Sequence, residues 1–102
     1  MRLILVGEDE ALDVLAELSR HLEYFEVSRL DDPPERALDA DDHLVIGARD
    51  AAHGRQLLEA ALRHGSPGVA TLVPDPDGDS PGARAILVAA ELVAAVRARP
   101  RG

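Results

Sequence analysis

Apolar residues fall along this chain in two patterns, short unbroken blocks and longer segments at helical spacing. Leu3 to Val6 is an unbroken block, the pattern of a parallel strand buried on both faces. It ends in Gly7 and Glu8-Asp9-Glu10. Ala11, Val14, Leu15, Leu18 and Leu22 then recur every three or four residues, which predicts a helix from about Glu10 to Leu22 with Asp9 as its N-cap. Phe25 to Leu30 reads as a second, more mixed strand nearer an edge, ended by Asp31-Asp32 and Pro33-Pro34. Glu35 to Leu38 has room for a short helical turn at most, and Asp39, Asp41 and Asp42 lead into a third strand, His43 to Ala48. Asp50 is placed to cap a helix that runs to about His64 and stops at Gly65-Ser66-Pro67. Val69 to Val73 is a fourth strand, and Pro74 to Asp79 reads as an exposed loop. Ser80 followed by Pro81 is a helix-start signal, and the last helix is expected to run to about Arg99. Its residues Ile86, Leu87, Val88, Leu92, Val93 and Val96 cover more than one face, which implies deep burial or a subunit interface.

This alternation predicts an α/β fold, a three-layer Rossmann-like parallel sheet of four strands with three main helices and right-handed crossovers, in a single domain over residues 1–102. The link from Asp31 to Asp42 is too poor in helix signals to supply a full crossover helix. The third strand is therefore placed beside the first, giving the order 2-1-3-4. A topological switch point then lies between the first and third strands, where ligands of such folds bind. Gly7 and Glu8 are expected to converge there with Ala48, Arg49 and Asp50.

Charge narrows the partners. The formal net charge is -8, with 19 acidic against 11 basic residues, and this argues against a nucleic-acid or anionic-membrane surface. Every basic residue is arginine, a bias expected of a GC-rich genome or of a halophilic source. Tyr24 and Phe25 are the two aromatic residues, too few for a base-stacking platform. The chain has no cysteine, which removes thiolate metal sites and cysteine nucleophiles. The apolar block at Leu3 is shorter than a secretory leader needs, and the stretch from Ala85 to Val96, broken by Glu91, is shorter than a bilayer span. A cytoplasmic location is expected.

A strand that ends in glycine and opens a helix is the phosphate-cradling corner of a Rossmann-like unit. Here Glu8, Asp9 and Glu10 occupy it, where they complement the helix dipole themselves and repel a pyrophosphate. Asp31 and Asp32 stand roughly 20 residues further on, where such folds place the acid that reads a ribose, and are equally suited to a turn before two prolines. Arg49 is placed to bind an anion or to serve as counter-ion to the acidic turn, and Asp50 to border the same crevice or simply to cap its helix. Gly7, Glu8, Asp9, Asp31, Asp32, Arg49 and Asp50 are therefore the candidate cofactor-binding residues. No catalytic residue and no metal site are assigned. Glu8-Asp9 also resembles the acidic pair of response-regulator receivers, but a receiver needs a late lysine, and the chain has none. Asp75, Asp77 and Asp79 alternate as in a calcium loop, yet Ile86 stands where the closing glutamate belongs. His21, His43, His53 and His64 form no metal-binding helical pair and are expected at the surface or at helix ends. Glu91, set among apolar residues, is read as an exposed helix charge or as a group bonded across an interface.

Two blocks carry a family resemblance. Leu30-Asp31-Asp32-Pro33-Pro34-Glu35-Arg36, followed by Asp41-Asp42-His43-Leu44-Val45-Ile46, is similar to the strand, Asp-Asp-Arg-Pro-Glu-Arg turn and next strand of the XdhC/CoxI family, in its C-terminal Rossmann-like domain. Ser80-Pro81, Ala85-Ile86 and Ala90-Glu91-Leu92-Val93-Ala94 resemble the closing helix of that domain. The resemblance implies an accessory protein for maturation of molybdenum-cofactor enzymes such as xanthine dehydrogenase, with molybdenum cofactor or a nucleotide as ligand and a molybdoenzyme client as partner. The family's glycine-rich turn is degenerate here, with Gly7 its single glycine, and Pro74 to Asp79 replaces an Arg/Lys-rich segment. The alternatives are a non-catalytic interaction module with a degenerate nucleotide site, or a receiver-like regulator without phosphorylation. A homodimer is expected, and enzymatic activity is not.

Overall fold

A computed structural model of the chain describes residues 2–21, 25–34, 38–48, 50–63, 65–73 and 80–98. The expectations placed on Arg49, on the turn at 35–37, on the loop 74–79 and on His64 and Arg99 lie outside the described residues. The elements are β1 (Arg2–Gly7), α1 (Glu10–Arg20), β2 (Glu26–Leu30), β3 (Asp42–Gly47), α2 (Ala51–Leu62), β4 (Val69–Leu72) and α3 (Pro81–Ala98). All four strands are parallel in the order β2-β1-β3-β4. The central strands β1 and β3 are the two continuous apolar runs. From Leu3 to Val6 and from Leu44 to Ile46 they are buried on both faces, so the side chains there meet a helix layer on either side.

The period-two alternation of a strand divides the core in two. Leu3, Leu5 and Val45 point to one face, where Ala11, Leu12, Leu15 and Ala16 of α1 meet Ala85, Val88 and Leu92 of α3. Ile4, Val6, Leu44 and Ile46 point to the other, against Leu57 and Ala61 of α2 and against Leu38 from the β2–β3 link. Leu38 is thus on the α2 side of the sheet, the side a right-handed path from β2 past β1 to β3 requires.

Several side chains depart from the sequence pattern. The buried stripe of α1 runs through Leu12, Ala16 and Ser19, with Leu18 39 % exposed, because that helix must face α3 as well as the sheet. β3 begins one residue early, since Asp42 pairs with Arg2 in the ladder. His43 is not at the surface. It sits on the doubly covered strand β3, 1 % exposed, with its ring edge-on to Phe25 at a centroid distance of 5.5 Å. Glu91 is exposed on α3.

The amino end of the sheet is held by a charged clamp. Arg2 donates to both carboxylate oxygens of Asp39 at 2.8 and 2.9 Å, and its Nε lies 2.7 Å from Oδ1 of the buried Asp42. The Asp41 backbone N–H and the Arg2 guanidinium hold the Asp39 carboxyl below its ordinary value.

Candidate functional site

The carboxyl ends of β1 and β3 meet where the topology reverses, and the geometry there is closed. Gly7 has φ of 125°, a conformation that side chains rarely adopt, and a Cβ at that position would run into the carbonyl oxygen of Gly47. The Asp9 backbone N–H donates to that same oxygen at 3.1 Å. A Cβ on Gly47 would in turn lie 2.9 Å from both the Asp9 Cβ and the Leu12 Cγ. The glycines at this corner therefore let two backbone turns touch. They leave no cradle between them for a phosphate.

The helix terminus behind the turn is filled by the chain's own carboxylate. Asp9 Oδ1 accepts from the Ala11 N–H at 2.9 Å, which caps α1 as the sequence predicts. Its Oδ2 pairs with Nη1 of Arg84, from the first turn of α3. Both side chains are almost fully enclosed, Arg84 at 6 % and Asp9 at 8 % exposure. The positive end of the helix and a buried guanidinium together form an anion site, and Asp9 is the anion in it.

Further groups brace the corner. Arg29, on β2, donates through Nη1 to the Gly7 carbonyl at 2.6 Å and to the Leu30 carbonyl at 2.9 Å, and through Nε to Asp13 of α1 at 3.2 Å. It ties the ends of β1 and β2 to α1. Glu8 is exposed, with Oε1 3.8 Å from Nε2 of His53 on α2, so the two turns also meet across the crevice through side chains. Asp50 Oδ1 accepts from the His53 N–H at 2.8 Å and caps α2. Ser80 Oγ accepts from the Ala83 N–H at 3.1 Å at the start of α3. Each helix thus carries its own N-terminal acceptor.

The structure brings Gly7, Glu8, Asp9 and Asp50 together around the crevice. Asp31 and Asp32 are exposed beyond β2 and form no hydrogen bond or ion pair among the described residues. Arg49 lies outside the described residues, and the counter-ion found on Asp9 is Arg84, 75 residues away in sequence. Arg84 was legible in one respect: it stands four and eight residues before Val88 and Leu92, on the buried stripe of α3. Arg29 left no such mark in a strand of mixed polarity.

Beside the closed corner, a hollow of about 230 Å³ opens on the α2 face at the ends of β3 and β4, lined by Ile46, Ala48, Ala51, Gly54, Leu72 and Val73 and bordered by the capping Asp50. Among the described residues no group of three potential ligands gathers to hold a metal ion, and no helix is long and apolar enough to cross a membrane. Comparison with protein-family models, with curated proteins and with solved structures returns no match for this chain.

Proposed function

We propose that this chain is a non-catalytic interaction module, a Rossmann-like domain whose nucleotide corner is closed from within. It acts as a homodimer in the cytoplasm, in the maturation of molybdenum-cofactor enzymes. The observation that carries the reading is the Asp9 carboxylate seated on the α1 N-terminus and paired with the buried Arg84. An incoming phosphate would have to displace a carboxylate already bonded to the α1 N-terminus and to Nη1 of Arg84, and would do so beside Glu8 and Glu10. The molybdoenzyme client follows from the resemblance of the Leu30 to Ile46 and Ser80 to Ala94 segments to XdhC. In this reading the domain meets that client through its surface and does not hold a phosphorylated pterin at the β1–α1 turn. The exposed Ile86 and Leu87 of α3 supply apolar surface for association.

Calorimetric titration of the protein with molybdenum cofactor, NAD(P) and nucleoside triphosphates, each with and without Mg²⁺, tests the closed corner, with no sub-millimolar binding expected. Co-purification with a xanthine dehydrogenase-type client tests the role. A phosphate-bearing ligand that shifts the amide resonances of Glu8 to Ala11 without a metal would overturn the reading.

A further inference from the structure

The two edges of the sheet are built differently. β2 exposes Glu26 and Ser28, carries Arg29, and runs into Asp31-Asp32 and Pro33-Pro34, the charges and prolines that keep an edge from pairing. β4 has no charge from Val69 to Val73, and Leu72 is 47 % exposed. Its ladder to β3 continues in the Val73 N–H donating to the Ile46 carbonyl at 2.8 Å. Alternation along a parallel strand then turns the N–H and C=O groups of Ala70 and Leu72 away from β3, toward the open edge.

Apolar surface lies beside this edge on both faces of the sheet. On the α2 face it is the hollow that contains Leu72, Val73 and Gly54. On the other face it is one flank of α3. Arg84 reaches Asp9 at the start of α1, so that flank of α3 faces α1. Ile86, Ala89 and Val93 lie at helical spacing on the opposite flank, turned to the β4 side, and with Ala90 and Ala94 they line a shallow apolar depression that ends at Arg97.

We propose that the β4 edge is the homodimer interface, two copies pairing β4 with β4 antiparallel across a two-fold axis at Thr71 to make a continuous eight-stranded sheet. The proposal rests on the homodimer reading and gives it a surface. The occupant we assign is a second copy, whose own uncharged strand can match the outward-pointing pair Ala70 and Leu72, symmetric about Thr71. With the axis at Thr71, Ala70 of one copy faces Leu72 of the other, and both are outward-pointing residues able to exchange both backbone bonds. Thr71 meets its own symmetry mate as a non-hydrogen-bonded pair, a favourable threonine contact. A two-fold perpendicular to the sheet keeps each face with its like, so the Ile86 flanks converge on one side and the Leu72 hollows on the other. Charge agrees: in a chain of net charge -8, the pairing residues Val69 to Val73 carry no acid, so the two strands themselves do not repel.

Sedimentation equilibrium across a concentration series is expected to show a reversible dimer. Ala70→Pro removes an N–H that β3 does not use, leaves the circular dichroism unchanged, and weakens dimerisation at least about tenfold through the two bonds lost per dimer. Thr71→Cys, the sole thiol in its chain, is expected to form a disulfide dimer on mild oxidation, since such pairs lie about 4.5 Å apart at Cα. Ser28→Cys on the β2 edge is expected to form no disulfide dimer under the same oxidation. A wild-type chain that is monomeric at every concentration overturns the homodimer itself. A dimer in which Thr71→Cys crosslinks no faster than Ser28→Cys overturns the β4 edge while the homodimer stands, and this comparison decides even where Ala70→Pro fails to fold.

Discussion

The two ends of the sheet are each fastened by an arginine and an aspartate, and they use the same chemistry to opposite effect. At the carboxyl end Arg84 and Asp9 are enclosed, at 6 % and 8 % exposure, under the packed helices α1 and α3. At the amino end Arg2 and Asp39 are 38 % and 62 % exposed. Water screens the second pair and competes for its hydrogen bonds, so its net contribution is small. The first pair is shielded: Asp9 also caps α1, and it is the acceptor on which the Arg84 guanidinium depends. What looks like a ligand site in the chain topology has become a structural joint. At the end with no functional expectation, Arg2 joins an Asp39 that solvent can reach to the buried Asp42.

The largest break in that comparison comes from removing one buried partner. Arg84→Met fills similar volume and leaves the enclosed Asp9 carboxylate with its helix cap but without its counter-ion, which costs up to about 3–5 kcal/mol. Urea unfolding followed by circular dichroism measures it. Adding Asp9→Asn to Arg84→Met removes the stranded charge and is expected to recover most of the loss, a strong coupling between the two positions. Near-additive single-site losses would show that the pair is not a joint.

Gly7→Ala probes the same end through the backbone. Residue 7 has φ of 125°, and its Cβ would collide with the Gly47 carbonyl, so β1 and β3 must separate where Asp9 bonds to that oxygen. Strain of this kind costs about 1–3 kcal/mol before the lost hydrogen bond is counted. A Gly7→Ala variant as stable as the parent, by the same urea measurement, would return Gly7 to the role of a phosphate-approach glycine.

Much of this frame was legible in the chain. The unbroken runs at Leu3 and Leu44 place the two central strands, the helix-poor link before Asp42 dictates the order β2-β1-β3-β4, and Asp9, Asp50 and Ser80 announce three helix starts. These are local or topological signals, and they depend on residues near one another in sequence. The joint was not legible, because it joins Asp9 to Arg84 across the whole fold: spacing puts Arg84 on the buried stripe of α3 but names no partner for it. The surface expectation for His43 fails for a related reason. Its polarity argues for the surface, and only its position on a strand covered on both faces overrides that.

The smallest expected effect sharpens the exposed end. The carboxyl of Asp39 is held below its ordinary value by the Asp41 backbone N–H and by Arg2. The unfolded chain therefore binds the proton more readily than the native one. The stability that Asp39 contributes is fully present above the unfolded value, near pH 4, and is lost as pH falls through the lower native value. Thermal unfolding from neutral pH down into that acid range should show a midpoint that falls, and Asp39→Asn should flatten the fall while costing little at neutral pH. The buried joint predicts a different contrast at neutral pH, because Arg84→Met strands a charge that water cannot reach, whereas Asp39→Asn removes one that water already screens. If Asp39→Asn proved as damaging at neutral pH as Arg84→Met, burial would not be what separates the two ends, and the closed corner would lose its claim to be a joint.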